Sequence, residues 1–114
     1  MRILIIEDNT RMRKIICRFI SEPGDVIMEC SDGDEALAAY TIFRPDWVLM
    51  DYEMARVDGV TATKEIMEND PSAKVLIVSQ YNDIEIQEAA VNAGAIKFIS
   101  KENLIELKRI ISNS

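Results

Sequence analysis

The chain has 114 residues, 48 % of them hydrophobic and 29 % charged, with a formal net charge of −7 and no histidine. That composition fits one compact globular domain, residues 1–114, and no apolar run is long enough to span a bilayer. The acidic balance argues against direct nucleic-acid binding, and the missing histidine removes the commonest general base and zinc ligand, so any chemistry must run on carboxylates, hydroxyls and lysines.

In chain order, Ile3 to Ile6 is a continuous apolar run ended by Glu7-Asp8, too short for a helix, and it reads as a strand buried on both faces. Met12, Ile15, Ile16, Phe19 and Ile20 then recur at helical spacing until Pro23-Gly24 breaks the helix. Val26 to Cys30 is a weaker strand, expected at a sheet edge. Asp32-Gly33-Asp34-Glu35 has the spacing of a capping box, and Leu37, Tyr40 and Phe43 follow as a helical stripe that stops at Pro45. Trp47 to Met50 is a third apolar run and ends at Asp51. Gly59 to Asn69, carrying Val60, Thr63, Ile66 and Met67, reads as a helix that stops before Pro71. Val75 to Val78 is a strand ending at Ser79. Asn82 to Ala93 reads as a helix with a capping box of Asn82 and Glu85, closed by Gly94. Ala95 to Ser100 is a fifth strand ending at Lys101, and Leu104, Leu107, Ile110 and Ile111 mark a last helix.

Five repeats of strand then helix predict an α/β domain: a flavodoxin-like doubly wound parallel sheet of five strands in the order 2-1-3-4-5, with helices on both faces. The N-terminus meets acids too early for a signal peptide, and Cys17 and Cys30 read as small buried hydrophobes in a reducing compartment, which places the chain in the cytoplasm.

Ligands of such sheets bind at the carboxyl ends of the strands, where the winding reverses, here between the first and third strands. Glu7, Asp8 and Asp51 lie just past those strands. Two carboxylates about 4 Å apart repel by roughly 4 kcal/mol at an effective dielectric near 20, so three together call for a hard divalent cation such as Mg²⁺. Ser79 and Lys101 end the fourth and fifth strands on the same edge. Three acids, a hydroxyl and an ammonium are the inventory for phosphoryl transfer to a carboxylate, with Asp51 as nucleophile, Ser79 on a phosphoryl oxygen and Lys101 offsetting its charge. Each residue alone would pass for a loop residue or a helix cap; all five at strand ends, each of a fitting type, would not.

The acid pair Glu7-Asp8, the stretch from Met50 to Gly59 around Asp51, Ser79, Lys101, Asp32-Gly33-Asp34-Glu35-Ala36-Leu37 and Ala93-Gly94-Ala95 together resemble the receiver domain of bacterial two-component response regulators, over the whole chain. The resemblance implies a phosphoacceptor that takes a phosphoryl group from a sensor histidine kinase onto Asp51 and switches an output domain or partner protein. It implies Mg²⁺ (or Mn²⁺) on Asp8, Asp51 and the backbone carbonyl of Glu53, with Glu7 behind an intervening water. It also implies Phe98 as an aromatic switch coupled to Ser79, although Phe98 equally reads as a core aromatic. The output face, a possible homodimer face, would be the fourth helix, fifth strand and fifth helix. Such a protein is not a turnover enzyme; it catalyses its own phosphorylation and slow dephosphorylation.

The sequence also departs from the family. Ala55 stands where proline is usual, Glu102 follows Lys101 in place of proline, Gln80 replaces a small residue beside the site, and Glu53 adds a fourth acid. Glu53 and Gln80 are expected to set the lifetime of the phosphorylated form. Two other readings stand beside the main one: a phosphorylation-independent pseudo-receiver, and a phosphatase of the haloacid-dehalogenase type. The latter is disfavoured because that family places its nucleophile after the first strand. Arg11, Lys14 and Arg18 share one helix face, either to dock an acidic or phosphate-bearing partner or as a solvated surface. Ile84 and Val91 are either core residues or apolar residues that a partner covers.

Overall fold

The computed structural model describes residues 1–113; Ser114, the last residue of the expected domain, lies outside the described residues. Five strands, β1 (Arg2–Ile6), β2 (Val26–Cys30), β3 (Trp47–Asp51), β4 (Val75–Ser79) and β5 (Lys97–Ser100), alternate with five helices, α1 (Thr10–Ile20), α2 (Ala36–Phe43), α3 (Gly59–Asn69), α4 (Ile84–Asn92) and α5 (Leu104–Ser112). The strands form one sheet in the order β2-β1-β3-β4-β5, every pair parallel. This is the doubly wound order that the strand–helix alternation predicts, with β2 on an edge.

The central strands are apolar throughout because both their faces are covered. Leu4, Ile6, Val48, Met50, Val75 and Ile77 face one core, closed by Ala36, Ala39, Ala62, Ile66 and Ala90 of α2, α3 and α4. Ile3, Ile5, Leu49, Leu76, Val78 and Ile99 face the other, closed by Ile16 and Ile20 of α1 and Leu107 and Ile111 of α5. The alternation along each strand deals successive residues to opposite layers.

Several local expectations change. In α1 only Ile16 and Ile20 are buried, whereas Ile15 and Phe19 are exposed: five apolar residues make a stripe wider than the strip that the sheet covers. The Asn82–Glu85 capping box does not form. α4 begins at Ile84, its N-cap Asp83 makes no side-chain cap, and the Gln87 side chain instead donates to the Asn82 carbonyl. At Asp32–Glu35 a short 3-10 turn precedes α2, and Glu35 accepts from Ser31 rather than closing a box on Asp32. β5 is shorter than expected, starting at Lys97. Gly94 does close α4, at φ +110, a conformation that side-chain-bearing residues resist.

Candidate functional site

The register brings the acids together. Ile6 pairs with Met50, so the residues that follow, Glu7 and Asp51, stand abreast at the carboxyl ends of β1 and β3. Carboxylate oxygens of Glu7, Asp8 and Asp51 all lie within 4.8 Å of one another. Glu7 is 1 % and Asp51 4 % exposed, while Asp8 is open to solvent. β4 ends one step higher at Ser79, and the Lys101 N–H donates to the Ser79 carbonyl at 2.9 Å, which ties the ends of β4 and β5 together. The Lys101 side chain then reaches back over the sheet, its Nζ 2.8 Å from Glu7 Oε1 and 2.9 Å from Asp51 Oδ1.

Glu7, Asp8, Asp51, Glu53, Ser79, Gln80 and Lys101 line a single cleft of about 330 Å³, together with Arg11, Met12 and Ile15 from α1. The seven strand-end residues expected to form a site therefore share one. Phe98 does not line that cleft: it is half-buried on the α2–α3–α4 face of β5, packed against that core. Ile84 and Val91 of α4 are 64 % and 55 % exposed, which excludes the core reading for both. Of the basic residues on α1, Arg11 lies at the cleft, Lys14 pairs with Glu29 on β2, and Arg18 is exposed.

The electrostatics follow from burial. Desolvation pushes the Asp51 carboxyl up to about 8, the neighbouring Glu7 carboxyl adds to the rise, and Lys101 only partly offsets it. For Lys101 burial acts to lower the pKa, but its contacts with Glu7 and Asp51 prevail and hold it above its ordinary value. Ser79 is buried, and its Oγ accepts the Tyr81 N–H at 3.0 Å. Glu7 Oε2 accepts the Asn9 N–H at 3.2 Å; Oε1, fully buried, has the Lys101 ion contact but no hydrogen bond of good geometry. One ammonium thus serves two buried carboxylates, and exposed Asp8 makes no ion pair among the described residues. A cluster of hard oxygen donors with this charge deficit fits a small divalent cation.

Three features here escaped the sequence reading. Arg13, half-buried in α1, donates to the Glu7 backbone carbonyl at 2.8 Å and pairs with Glu29, bracing the end of β1. Gly59 is obligatory by contact rather than by conformation: a Cβ there would lie 2.2 Å from the Asp51 carbonyl oxygen. Asp32, 8 % exposed, sends its carboxylate across to the loop after β3. The partners of Asp32 are remote in sequence, and Arg13 and Gly59 meet nearby backbone through contacts that no pattern of residue types marks.

A family model for the response regulator receiver domain matches residues 3–112. Chemotaxis protein CheY of Thermotoga maritima is 38 % identical over 101 residues, 88 % of this chain and 84 % of that protein. Transcriptional regulatory protein DegU of Brevibacillus brevis is 31 % identical over 97 % of this chain but only 50 % of its own length. In structure, a chain of the CheX–CheY–BeF₃–Mg²⁺ complex of Borrelia burgdorferi superposes with a TM-score of 0.86 at 26 % identity, covering 98 % of this chain and 87 % of that one.

Proposed function

This chain belongs to the response regulator receiver domain family of two-component signalling, and from that premise we propose that residues 1–114 form a phosphoacceptor domain that takes a phosphoryl group onto Asp51 and so switches an output. The observation that carries the proposal is the convergence of Glu7, Asp8 and Asp51 with Lys101 at the ends of three strands in one open cleft.

In the transfer, an Asp51 carboxylate oxygen attacks phosphorus, a P–O bond forms, and the P–N bond to the donor imidazole of a sensor histidine kinase breaks, the electron pair leaving on the imidazole nitrogen. Lys101, freed from one of its two carboxylates, offsets charge on the transferred oxygens, and Ser79 donates its hydroxyl to one of them. Asp8, Asp51 and the Glu53 carbonyl, with Glu7 beside them, would hold Mg²⁺ or Mn²⁺, which would supply the further positive charge that the acid cluster lacks. Support for that ion comes from the donor set and from the relative crystallised with Mg²⁺ and BeF₃. Glu53 and Gln80, both exposed at the cleft, govern entry of the hydrolytic water and hence phosphoryl lifetime. Movement of Ser79 toward the phosphoryl group draws Phe98 inward on the adjacent strand and alters the α4–β5–α5 face, where Ile84 and Val91 are exposed to an output domain, a partner protein or a second copy. The domain is cytoplasmic, does not bind nucleic acid itself and is not a turnover enzyme: it catalyses only its own phosphorylation and slow dephosphorylation. No described helix is long and apolar enough to cross a membrane.

The test is intact mass after incubation with Mg²⁺ and acetyl phosphate, for wild type and Asp51→Asn. A one-phosphoryl adduct that needs both Mg²⁺ and Asp51 is the expected result. No adduct with acetyl phosphate, phosphoramidate or a histidine kinase, in folded protein that binds Mg²⁺, would instead support the pseudo-receiver reading.

A further inference from the structure

The segment Asp32-Gly33 lies between β2 and α2, outside the cleft, yet it grips the loop that follows Asp51. The Asp32 carboxylate accepts the Arg56 N–H through Oδ2 and the Val57 N–H through Oδ1, both at 3.0 Å, and the Asp34 N–H at 3.3 Å. Burial opposes the charge on Asp32, but these backbone donors prevail and hold its carboxyl below the usual carboxylate range. Gly33 presses against the same loop: a Cβ at that position would lie 2.3 Å from the Val57 carbonyl oxygen and 3.2 Å from Met54 Cε. The two loops are therefore in backbone contact, fastened by one buried carboxylate.

The fastened loop runs from Tyr52, whose N–H is held by the Val78 carbonyl, to the Asp58 cap of α3. Within it lies Glu53, whose carbonyl completes the cation site in the function proposed above. Arg56 and Val57 do not line the cleft, but holding their amides limits where the first half of the loop can go.

We infer that Asp32 is a positioning residue for the phosphoacceptor site: by holding the Arg56 and Val57 amides it fixes the Glu53 carbonyl, and so sets the affinity of the acid cluster for its divalent cation. The inference rests on the proposed Mg²⁺-dependent function and adds a residue that does not enter the cleft. Its signature is weakened cation affinity with little loss of rate once cation is saturating, because Asp51, Ser79 and Lys101 are untouched.

The experiment compares wild type, Asp32→Asn and Asp34→Ala. Asparagine keeps the shape but presents an NH₂ to one loop amide, which loses its acceptor; Asp34→Ala removes the same charge and the exposed Asp34–Arg56 ion pair but leaves the Asp32 carboxylate in place. Mg²⁺ affinity is measured by calorimetry, and Arg56 and Val57 amide exchange by NMR. The expected result for Asp32→Asn is amide exchange faster by roughly fivefold to tenfold, the effect of one lost hydrogen bond, and an Mg²⁺ dissociation constant raised about tenfold, as when other groups that orient ligands are removed. Phosphorylation by acetyl phosphate at saturating Mg²⁺ should stay within about twofold of wild type, and Asp34→Ala should bind Mg²⁺ as wild type does. Wild-type Mg²⁺ affinity in an Asp32→Asn protein with freed amides overturns the inference, as does equal weakening in Asp34→Ala, which would reduce it to net charge.

Should Asp32→Asn fail to fold, wild type alone decides: by reciprocity, Mg²⁺ must slow exchange at Arg56 and Val57, and unchanged exchange at saturating Mg²⁺ overturns the inference. Wild type that binds no Mg²⁺ overturns the functional proposal and this inference with it; wild type that binds Mg²⁺ and forms the adduct while the Asp32 results fail overturns only the inference.

Discussion

Asp51 and Lys101 face each other across the top of the sheet at 2.9 Å, a carboxylate at the end of β3 against an ammonium just past β5. Glu7 shares that ammonium at 2.8 Å, so once Asp51 ionises, at about pH 8, two buried negative charges depend on one positive charge. Substitutions at the two ends should act in opposite directions. Above about pH 8, where Asp51 is ionised, Lys101→Met strands both carboxylates and should cost about 3 kcal/mol in metal-free protein, whereas Asp51→Asn relieves the repulsion, leaves the Glu7–Lys101 pair intact and should stabilise by about 1–2 kcal/mol. Urea unfolding in the presence of a chelator measures both; a destabilised Asp51→Asn would show that the Asp51–Lys101 pair outweighs the crowding.

At Gly59 the start of α3 touches the backbone of Asp51 itself. Gly59→Ala places a methyl 2.2 Å from the Asp51 carbonyl oxygen and 3.0 Å from Met50 Cγ, so the helix must back away. A loss of about 1–3 kcal/mol is expected, together with slower adduct formation because Asp51 moves with its backbone. Thermal melts and the acetyl phosphate rate are the readouts, and wild-type values for both would mean that the contact relaxes without cost.

Gln80 and Glu53 line the same cleft as Asp51, so a water that hydrolyses the proposed adduct would pass them. Replacing them together, Gln80→Ala with Glu53→Asn, should change the dephosphorylation rate by about threefold or more, which corresponds to roughly 0.7 kcal/mol in barrier height. An unchanged decay of the Asp51 adduct, followed by mass spectrometry, would remove both residues from control of lifetime.

Away from the site, the Tyr40 hydroxyl donates to Asp70 Oδ2 at 2.6 Å. Burial first, then that carboxylate, pushes the phenol up to about 12. The folded protein therefore holds this proton more tightly than the unfolded chain, whose tyrosines titrate near about 10. The resulting stability is fully present below that value and is lost as pH rises toward about 12. Ultraviolet titration should show a late phenolate step that is missing in Tyr40→Phe; a step of the same height and midpoint in that variant would refute the assignment.

Strand positions and the site's acids, hydroxyl and lysine were legible because both are written locally: an apolar run too short for a helix, then a polar residue where the run stops. Glu7, Asp8, Asp51, Ser79 and Lys101 all follow that rule. Features governed by contact between distant segments were not legible. Asp32 does cap the turn before α2, accepting the Asp34 N–H, but its further partners, the amides of Arg56 and Val57, lie 24 and 25 residues on and left no local sign. Ile15 and Phe19 fit the apolar period of α1, but periodicity gives the direction of a stripe and not the width that the sheet covers. The Asn82–Glu85 spacing suited a cap, yet the chain enters α4 later, at Asp83, where no side chain closes the turn.

The pairing of Ile6 with Met50 has an evolutionary corollary. Because neighbouring residues on a strand point to opposite layers, a slip of one position would exchange the side chains of β3 between the two cores, upset the packing of both, and move Asp51 out of line with Glu7. Selection for a packed interior therefore guards the alignment of the reactive groups without acting on reactivity. Exposed residues away from the cleft, such as Arg18 on α1 and Ile84 and Val91 on α4, take no part in that alignment. They can therefore be substituted at little cost to the fold without shifting Glu7 against Asp51.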